Sequence, residues 1–236
     1  MILLRSLVFA TIQAFFTPFF SLLCLATFPF DRKTRYLVIS QWARLMMFLV
    51  DKICGVKFRV VGAENIPDEP CVVLSNHQSA WETIAFQVIL PPQVWVLKKE
   101  LLRIPFFGWG LAMTSPIAID REEGRAALKQ LIEQGKERLS AGFFVIVFPE
   151  GTRIPPGETP PFRIGGAWLG THSGSKVLPI AHNAGHLWGR NAFIKRPGTI
   201  TVSIGEAIDA KGMKPNELNS MVEKWIRSEL ERIGRP

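Results

Sequence analysis

The chain has 236 residues, enough for one α/β domain with a full core, and carries a formal net charge of +8 with a pI near 9.7. Hydrophobic residues make up 47% and mean hydropathy is +0.17, which excludes a disordered chain. The basic balance suits nucleic acid or anionic lipid, and the apolar N-terminus argues for lipid and against nucleic acid. The cysteines, Cys24, Cys54 and Cys71, are odd in number and form no Cys-x-x-Cys pair. They read as reduced apolar fillers in a cytosol-facing protein, not as a disulfide framework or metal ligands.

Leu7 to Phe30 is almost free of charge, with Arg5 before it and Asp31, Arg32, Lys33 and Arg35 after it. As a helix it would reach about 36 Å, against about 30 Å for a hydrocarbon core. Pro18 and Gln13 interrupt it, so a kinked span, a re-entrant hairpin and an interfacial helix all fit. A cleaved secretory signal is disfavoured, since no small-x-small site precedes Pro29. Over Tyr36 to Val56, the residues Leu37, Trp42, Leu45, Met46, Leu49 and Ile53 recur at helical spacing. Residues 1–56 are therefore expected to form N-terminal membrane-associated helices, an apolar two-helix segment. The Arg32-Lys33-Arg35 cluster favours anionic headgroups and a cytosolic side.

From Lys57 to the end, residues 57–236, the pattern becomes α/β. Strands are expected at 57–61, 71–75, 94–97, 116–119, 143–148, 176–180 and 199–204; the run from Phe143 to Phe148 is continuously apolar, as a strand buried on both faces should be. One helix carries Leu128, Leu131, Ile132 and Leu139 on a face and stops near Gly142. The last opens near Pro215 and closes at Gly234, burying Leu218, Met221, Val222, Trp225 and Ile226. Strands alternating with helices predict a mostly parallel sheet flanked by helices.

Four polar clusters directly follow four of these strands: Asn76-His77, Lys98-Lys99-Glu100, Asp120-Arg121 and Pro149-Glu150-Gly151-Thr152-Arg153. Parallel strands would gather all four on one edge, where open α/β sheets place ligands. His77 would sit at a strand-to-helix turn, with Glu82 five residues on. Two readings of that turn stand side by side. In one, Glu82 accepts from one imidazole nitrogen and leaves the other free to take a proton. In the other, Ser79 and Glu82 form a capping box and His77 is an ordinary turn residue. Lys98, Arg121 and Arg153 could together hold a phosphate, and Gly151 lets backbone N–H groups approach an anion. No Gly-x-Ser-x-Gly elbow is present, which disfavours a hydrolase with a serine nucleophile. The histidines lack the i, i+4 pairing of a helical zinc site, so no metal is expected. Trp95 and Trp109 suit either a membrane interface or the core.

Asn-His-Gln-Ser-Ala-Trp-Glu (76–82), Pro-Ile-Ala-Ile-Asp-Arg (116–121), Phe-Pro-Glu-Gly-Thr-Arg (148–153) and Val-Leu-Pro-Ile-Ala-His-Asn (177–183) resemble the four ordered motifs of the glycerolipid acyltransferases. The resemblance covers roughly residues 57 to 206 and is strongest to those members that acylate lysophosphatidic acid to phosphatidic acid. It departs at position 82, where the family's usual Asp is Glu. The resemblance implies phospholipid biosynthesis without a cofactor, with acyl-CoA or acyl-carrier protein as the thioester co-substrate. It implies a membrane enzyme of a bacterial inner membrane, its catalytic domain on the cytosolic side among membrane lipids. His77 is implied as general base and Glu82 as its partner. Lys98, Arg153 and then Arg121 are implied as phosphate contacts, with Gly151 and Thr152 in the same loop. Glu150 is expected to order the loop or contact glycerol, or else to pair with Arg153. Pro179 is expected to shape the acyl slot, or else to be a strand-edge proline. Glycerol 3-phosphate, a lyso-ornithine lipid or another lysophospholipid remain alternative acceptors, and a lipid-binding protein without activity is the alternative outside the enzymes.

Overall fold

A computed structural model of the chain describes residues 1–120 and 123–236. Seven strands appear among them: β1 (Val56–Val61), β2 (Val72–Ser75), β3 (Gln93–Lys98), β4 (Ile117–Ile119), β5 (Phe144–Val147), β6 (Val177–His182) and β7 (Gly198–Ile204). They form one sheet in the order β1-β7-β6-β2-β5-β3-β4. From β6 to β4 every pairing is parallel; β7 turns back antiparallel to β6, and β1 runs parallel to β7. Every residue of β2, β5 and β6 is buried, because helices cover both faces of the sheet's centre.

Seven α-helices accompany the sheet: α1 (Ile2–Ala26), α2 (Arg32–Leu49), α3 (Trp81–Ile89), α4 (Phe107–Met113), α5 (Arg125–Ser140), α6 (Gly165–Ser173) and α7 (Pro215–Ile233). α1 is one unbroken helix through Pro18. Among the described residues it alone is long and apolar enough to cross a membrane. α2 begins earlier than its apolar spacing suggested, because Asp31 caps it, accepting from the N–H groups of Lys33 and Thr34. It runs on through a π-turn, Val50–Cys54, and Gly55 leads from there into β1. All three cysteines are free and buried.

α4 and α6 escape a reading by periodicity, since both are short and glycine-rich. The glycines of α6 are there for packing. A Cβ on Gly166 would lie 2.4 Å from Leu74 Cδ2, and one on Gly170 would lie 2.5 Å from Val177 Cγ2. α6 thus lies directly on β2 and β6 and completes the β5-to-β6 crossover. In α7, Leu218, Val222 and Ile226 are buried as expected, but Met221 is exposed.

The outer surface of α1 is a band of exposed apolar side chains, including Leu4, Leu7, Phe15, Phe19 and Leu22. Its other side carries Gln13, Thr17, Phe20, Ser21 and Cys24, which face a cavity inside the protein. The Gln13 that interrupts the apolar run therefore belongs to the inward stripe, at the spacing a helix requires. Gly110 of α4 packs on the same stripe; a Cβ there would meet Ser21 Oγ at 2.9 Å.

Candidate active site

The sheet topology brings the polar clusters together. β2, β5, β3 and β4 are parallel neighbours, so the residues that follow them share one edge. A cavity of about 540 Å³ opens there, and His77, Lys98, Gly151, Thr152 and Arg153 all line it. Its deeper wall is largely apolar, built from α1, α2, α3, β3 and α4, with Phe20, Ile39, Ile84, Val96 and Leu111 among its side chains.

His77 is held from every side. Its Nδ1 lies 2.6 Å from Oε1 of Glu82. A carboxylate is an acceptor only, so Nδ1 carries the proton and Nε2 keeps its lone pair for the cavity. The ring stacks on Phe148, with centroids 4.1 Å apart and planes at 13°. The His77 N–H donates to Oε2 of Glu150 at 2.8 Å, and its carbonyl accepts from the N–H of Ile154 at 2.7 Å. The loop after β5 thus cradles the histidine after β2.

Glu82 Oε1 accepts from the N–H groups of Gln78 and Ser79 as well as from His77, and Ser79 Oγ accepts from the N–H of Trp81. One carboxylate oxygen ties the turn before α3 to the imidazole; the N-cap of α3 is Ala80, without a side-chain cap bond. Glu82 is fully buried. Burial would raise its pKa, but the electrostatic pull of the neighbouring His182 and His77 rings, the His77 hydrogen bond and the Ser79 N–H outweigh it and hold the carboxyl below its usual range.

Asn76 has its own reason to precede the histidine. As the chain leaves β2, the Asn76 amide continues the pairing with β6: Nδ2 donates to the His182 carbonyl at 2.9 Å, and Oδ1 accepts from the His182 N–H at 3.0 Å. The side chain imitates a peptide group and frees the backbone to turn.

Glu150 does not pair with Arg153; it supports the His77 backbone. Burial, first, and the neighbouring Glu82 charge push its pKa up to about 8, although the His77 N–H and Arg227 oppose this. Gly151 adopts φ +75°, and a Cβ there would lie 2.9 Å from Arg163 Nε. The positive φ strains any side chain at that position, and Arg163 would have to shift to admit one. Pro179 is buried within β6 beside Leu74 and against Gly205, away from the cavity lining, so it is a sheet residue and not a wall of the slot. Arg121 lies outside the described residues; Asp120 before it forms an ion pair with Lys99. Trp95 is buried, while Trp109 is 41% exposed beside Phe106. His172 is a surface residue stacked on Trp168.

Two contributors escaped the reading of the sequence. Arg190 lines the cavity mouth, its Nη1 donating to the Arg153 carbonyl at 3.1 Å. Its loop is anchored by Trp188, which packs edge-on against Phe9 of α1, and by Lys195, whose ammonium lies 4.8 Å from the Trp188 ring centre. The Trp-Gly-Arg run carried no periodicity to flag it. The other is His182, a member of the fourth motif to which the sequence assigned no role.

The site is a histidine held by a buried carboxylate in a cavity with cationic and apolar lining, on the edge of an α/β sheet. The Acyltransferase family model matches residues 57–183, and the chain belongs to that family; it is an acyltransferase. It is 47% identical over 209 residues to a 1-acyl-sn-glycerol-3-phosphate acyltransferase of Pseudomonas aeruginosa, covering 87% of this chain and 81% of that protein. It is 28% identical to the 1-acyl-sn-glycerol-3-phosphate acyltransferase of Saccharomyces cerevisiae, over 81% of this chain and 65% of that one. Its fold matches the crystal structure of the 1-acyl-sn-glycerophosphate (LPA) acyltransferase PlsC from Thermotoga maritima with a TM-score of 0.81 and 27% identity, covering 98% of this chain and 95% of that one.

Proposed function

We propose that the protein transfers an acyl group from an acyl thioester to the free hydroxyl of lysophosphatidic acid, giving phosphatidic acid at a membrane surface. The observation that supports the proposal is that His77, its Nδ1 held by Glu82, lines one cavity together with Lys98, Arg153 and Arg190 and with apolar side chains. A lysophospholipid has the same polarity, with an anionic phosphate beside a hydroxyl and an apolar tail. The names of the relatives point to the same acceptor.

In this reading the cations bind the phosphate, with arginine forks offering two-point contacts. His77 Nε2 takes the proton of the glycerol hydroxyl as its oxygen attacks the thioester carbonyl. The C–S bond breaks, and the imidazolium returns its proton to the departing thiolate. No acyl-enzyme forms. Glu82 stabilises the transient imidazolium through the bond that already fixes its orientation. General-base help of this kind supplies about 10²–10⁴ in rate, and holding two substrates together supplies much of the rest. Acyl-CoA and acyl-carrier protein are both acidic donors that suit the +8 chain.

Membrane binding rests on α1. Its exposed apolar band faces lipid while its inward stripe lines the slot, so a helix in contact with the bilayer is also part of the acyl site. A lysolipid then reaches the cavity without passing through water.

The test is an acyl-transfer assay on purified protein in detergent, with labelled thioester and either lysophosphatidic acid or glycerol 3-phosphate. Label in phosphatidic acid that disappears in His77→Ala is the expected result. Transfer to glycerol 3-phosphate alone would move the acceptor assignment one step earlier; His77-independent transfer would overturn the mechanism.

A further inference from the structure

Behind the dyad lies a second, completely buried histidine that the mechanism does not use. His182 ends β6, walled by Trp81 and Phe86, whose ring centres lie 6.4 and 6.0 Å from its own. Both ring nitrogens face backbone groups whose roles are fixed. The N–H of Ala184 points at Nδ1 at 3.4 Å, so Nδ1 is the acceptor. The carbonyl of Asn76 lies 2.9 Å from Nε2, so Nε2 carries the proton and donates. A proton on Nδ1 would confront the Ala184 N–H, so the surroundings admit the neutral Nε2–H tautomer and disfavour the imidazolium. Nε2 also lies 3.9 Å from Oε1 of Glu82, the oxygen that orients His77.

We infer that His182 is a positioning residue for the His77–Glu82 pair. Its Nε2–H holds the Asn76 carbonyl, and with it the peptide that leads into His77, while presenting a fixed positive edge to the buried Glu82 carboxylate. The inference rests on the base role of His77 argued above and extends it to a group that touches neither substrate nor the reacting atoms. The geometry gives the reason for such a device. Glu82 Oε2 is buried with no hydrogen-bond partner, so the carboxylate depends on what surrounds Oε1 to stay ionised away from water. The titratable groups around His182 are Glu82 and His77; Glu150 lies beyond His77 and is itself faced by Arg227 of α7. Burial, the largest influence, pushes the His182 pKa down and outweighs the pull of Glu82.

Removing the Nε2 donor makes it easier for the dyad to take up a proton, and a protonated dyad is not a base. The acidic limb of the kcat/KM–pH profile therefore moves to higher pH. The informative pair of variants is His182→Gln, which places an amide N–H near the position of Nε2, and His182→Asn, whose shorter amide reaches only the Nδ1 position. His182→Asn is expected to raise the acidic limb by about one pH unit and to lower kcat at neutral pH about tenfold, with both KM values unchanged. His182→Gln is expected to keep the limb near that of the unsubstituted enzyme. Thermal denaturation of both variants separates folding loss from the profile shift. Equal acidic limbs in the two folded variants, or loss of stability with an unchanged profile, would overturn the inference.

A second readout needs no activity. In protein labelled with ¹⁵N-histidine, His182 is expected to keep the neutral Nε2–H pattern at neutral pH and on into the mildly acidic range where a free imidazole becomes charged. Titration of His182 within that range would overturn the assignment even if acyl transfer proceeds as proposed. Absence of transfer to any lysophospholipid, with the pattern retained, would instead count against the function proposed above.

Discussion

The backbone N–H of His77 donates to the side chain of Glu150 across 73 residues of sequence, at 2.8 Å. The motif after β5 therefore builds the seat of the histidine after β2, together with the Phe148 stack and the Ile154 N–H. A carboxyl raised to about 8 from its usual 4.5 is neutral at pH 7 and still an acceptor. Glu150→Gln is thus expected to retain most of the activity at neutral pH, while Glu150→Ala lowers kcat severalfold by loosening the seat. Steady-state kinetics at pH 7 would check both.

The same group gives stability a pH dependence of known sign. The folded state holds a proton on Glu150 that the unfolded chain releases above its ordinary pKa. Stability is complete below about pH 4.5 in this contribution and is lost as pH rises through about 8. Unfolding measured from about pH 6 to about pH 9 should show a decline that Glu150→Gln reduces.

Glu82→Asp withdraws the carboxylate by one carbon–carbon bond, about 1.5 Å. The family's usual residue here is Asp, so Glu82→Asp is expected to be tolerated, with kcat kept within about tenfold and little change in either KM; complete inactivation would show that reach is critical. Glu82→Gln, which leaves an uncharged group beside the transient imidazolium, is expected to fall further.

Arg153→Ala and Arg190→Ala should each raise the KM for the phosphate-bearing acceptor, by about tenfold for the loss of one charge-assisted contact. The KM for the thioester should be unaffected. An unchanged acceptor KM in both variants would remove these arginines from the phosphate site.

Gly166→Ala forces a methyl group to within 2.4 Å of Leu74 Cδ2 in the core. Overpacking of this kind costs about 1–3 kcal/mol, which in a chain of this size is about 2–10 °C in Tm. Thermal denaturation in detergent would measure it, and transfer at low temperature should persist.

Much of this protein was legible in the order of its residues. Seven stretches marked the seven strands: burial on both faces demands a continuous apolar run, as in β5, and a half-exposed strand alternates, as in β1. Asn76-His77 and Glu150-Gly151-Thr152-Arg153 stood out because polar residues directly after buried strands have few structural reasons to be there. The long apolar N-terminal helix was equally plain, and its length and hydropathy follow from composition alone.

Tertiary structure decided the rest, for a common reason: each point depends on what a side chain meets from distant sequence. The reversal of β7 and β1 is a matter of pairing, which hydrophobicity does not encode. Helices α4 and α6 form because glycines let them approach their neighbours, against their own propensity. Pro179 left the slot for the sheet, and Arg190 joined the mouth only because its loop is anchored on α1. Glu82 could be a cap or a partner by spacing, and in the folded turn one oxygen meets both the Ser79 N–H and His77 Nδ1. His182 stood in the fourth motif without an assigned role; its closeness to Glu82 arises because β6 lies beside β2 in space, with 94 residues of chain between the two histidine-bearing motifs.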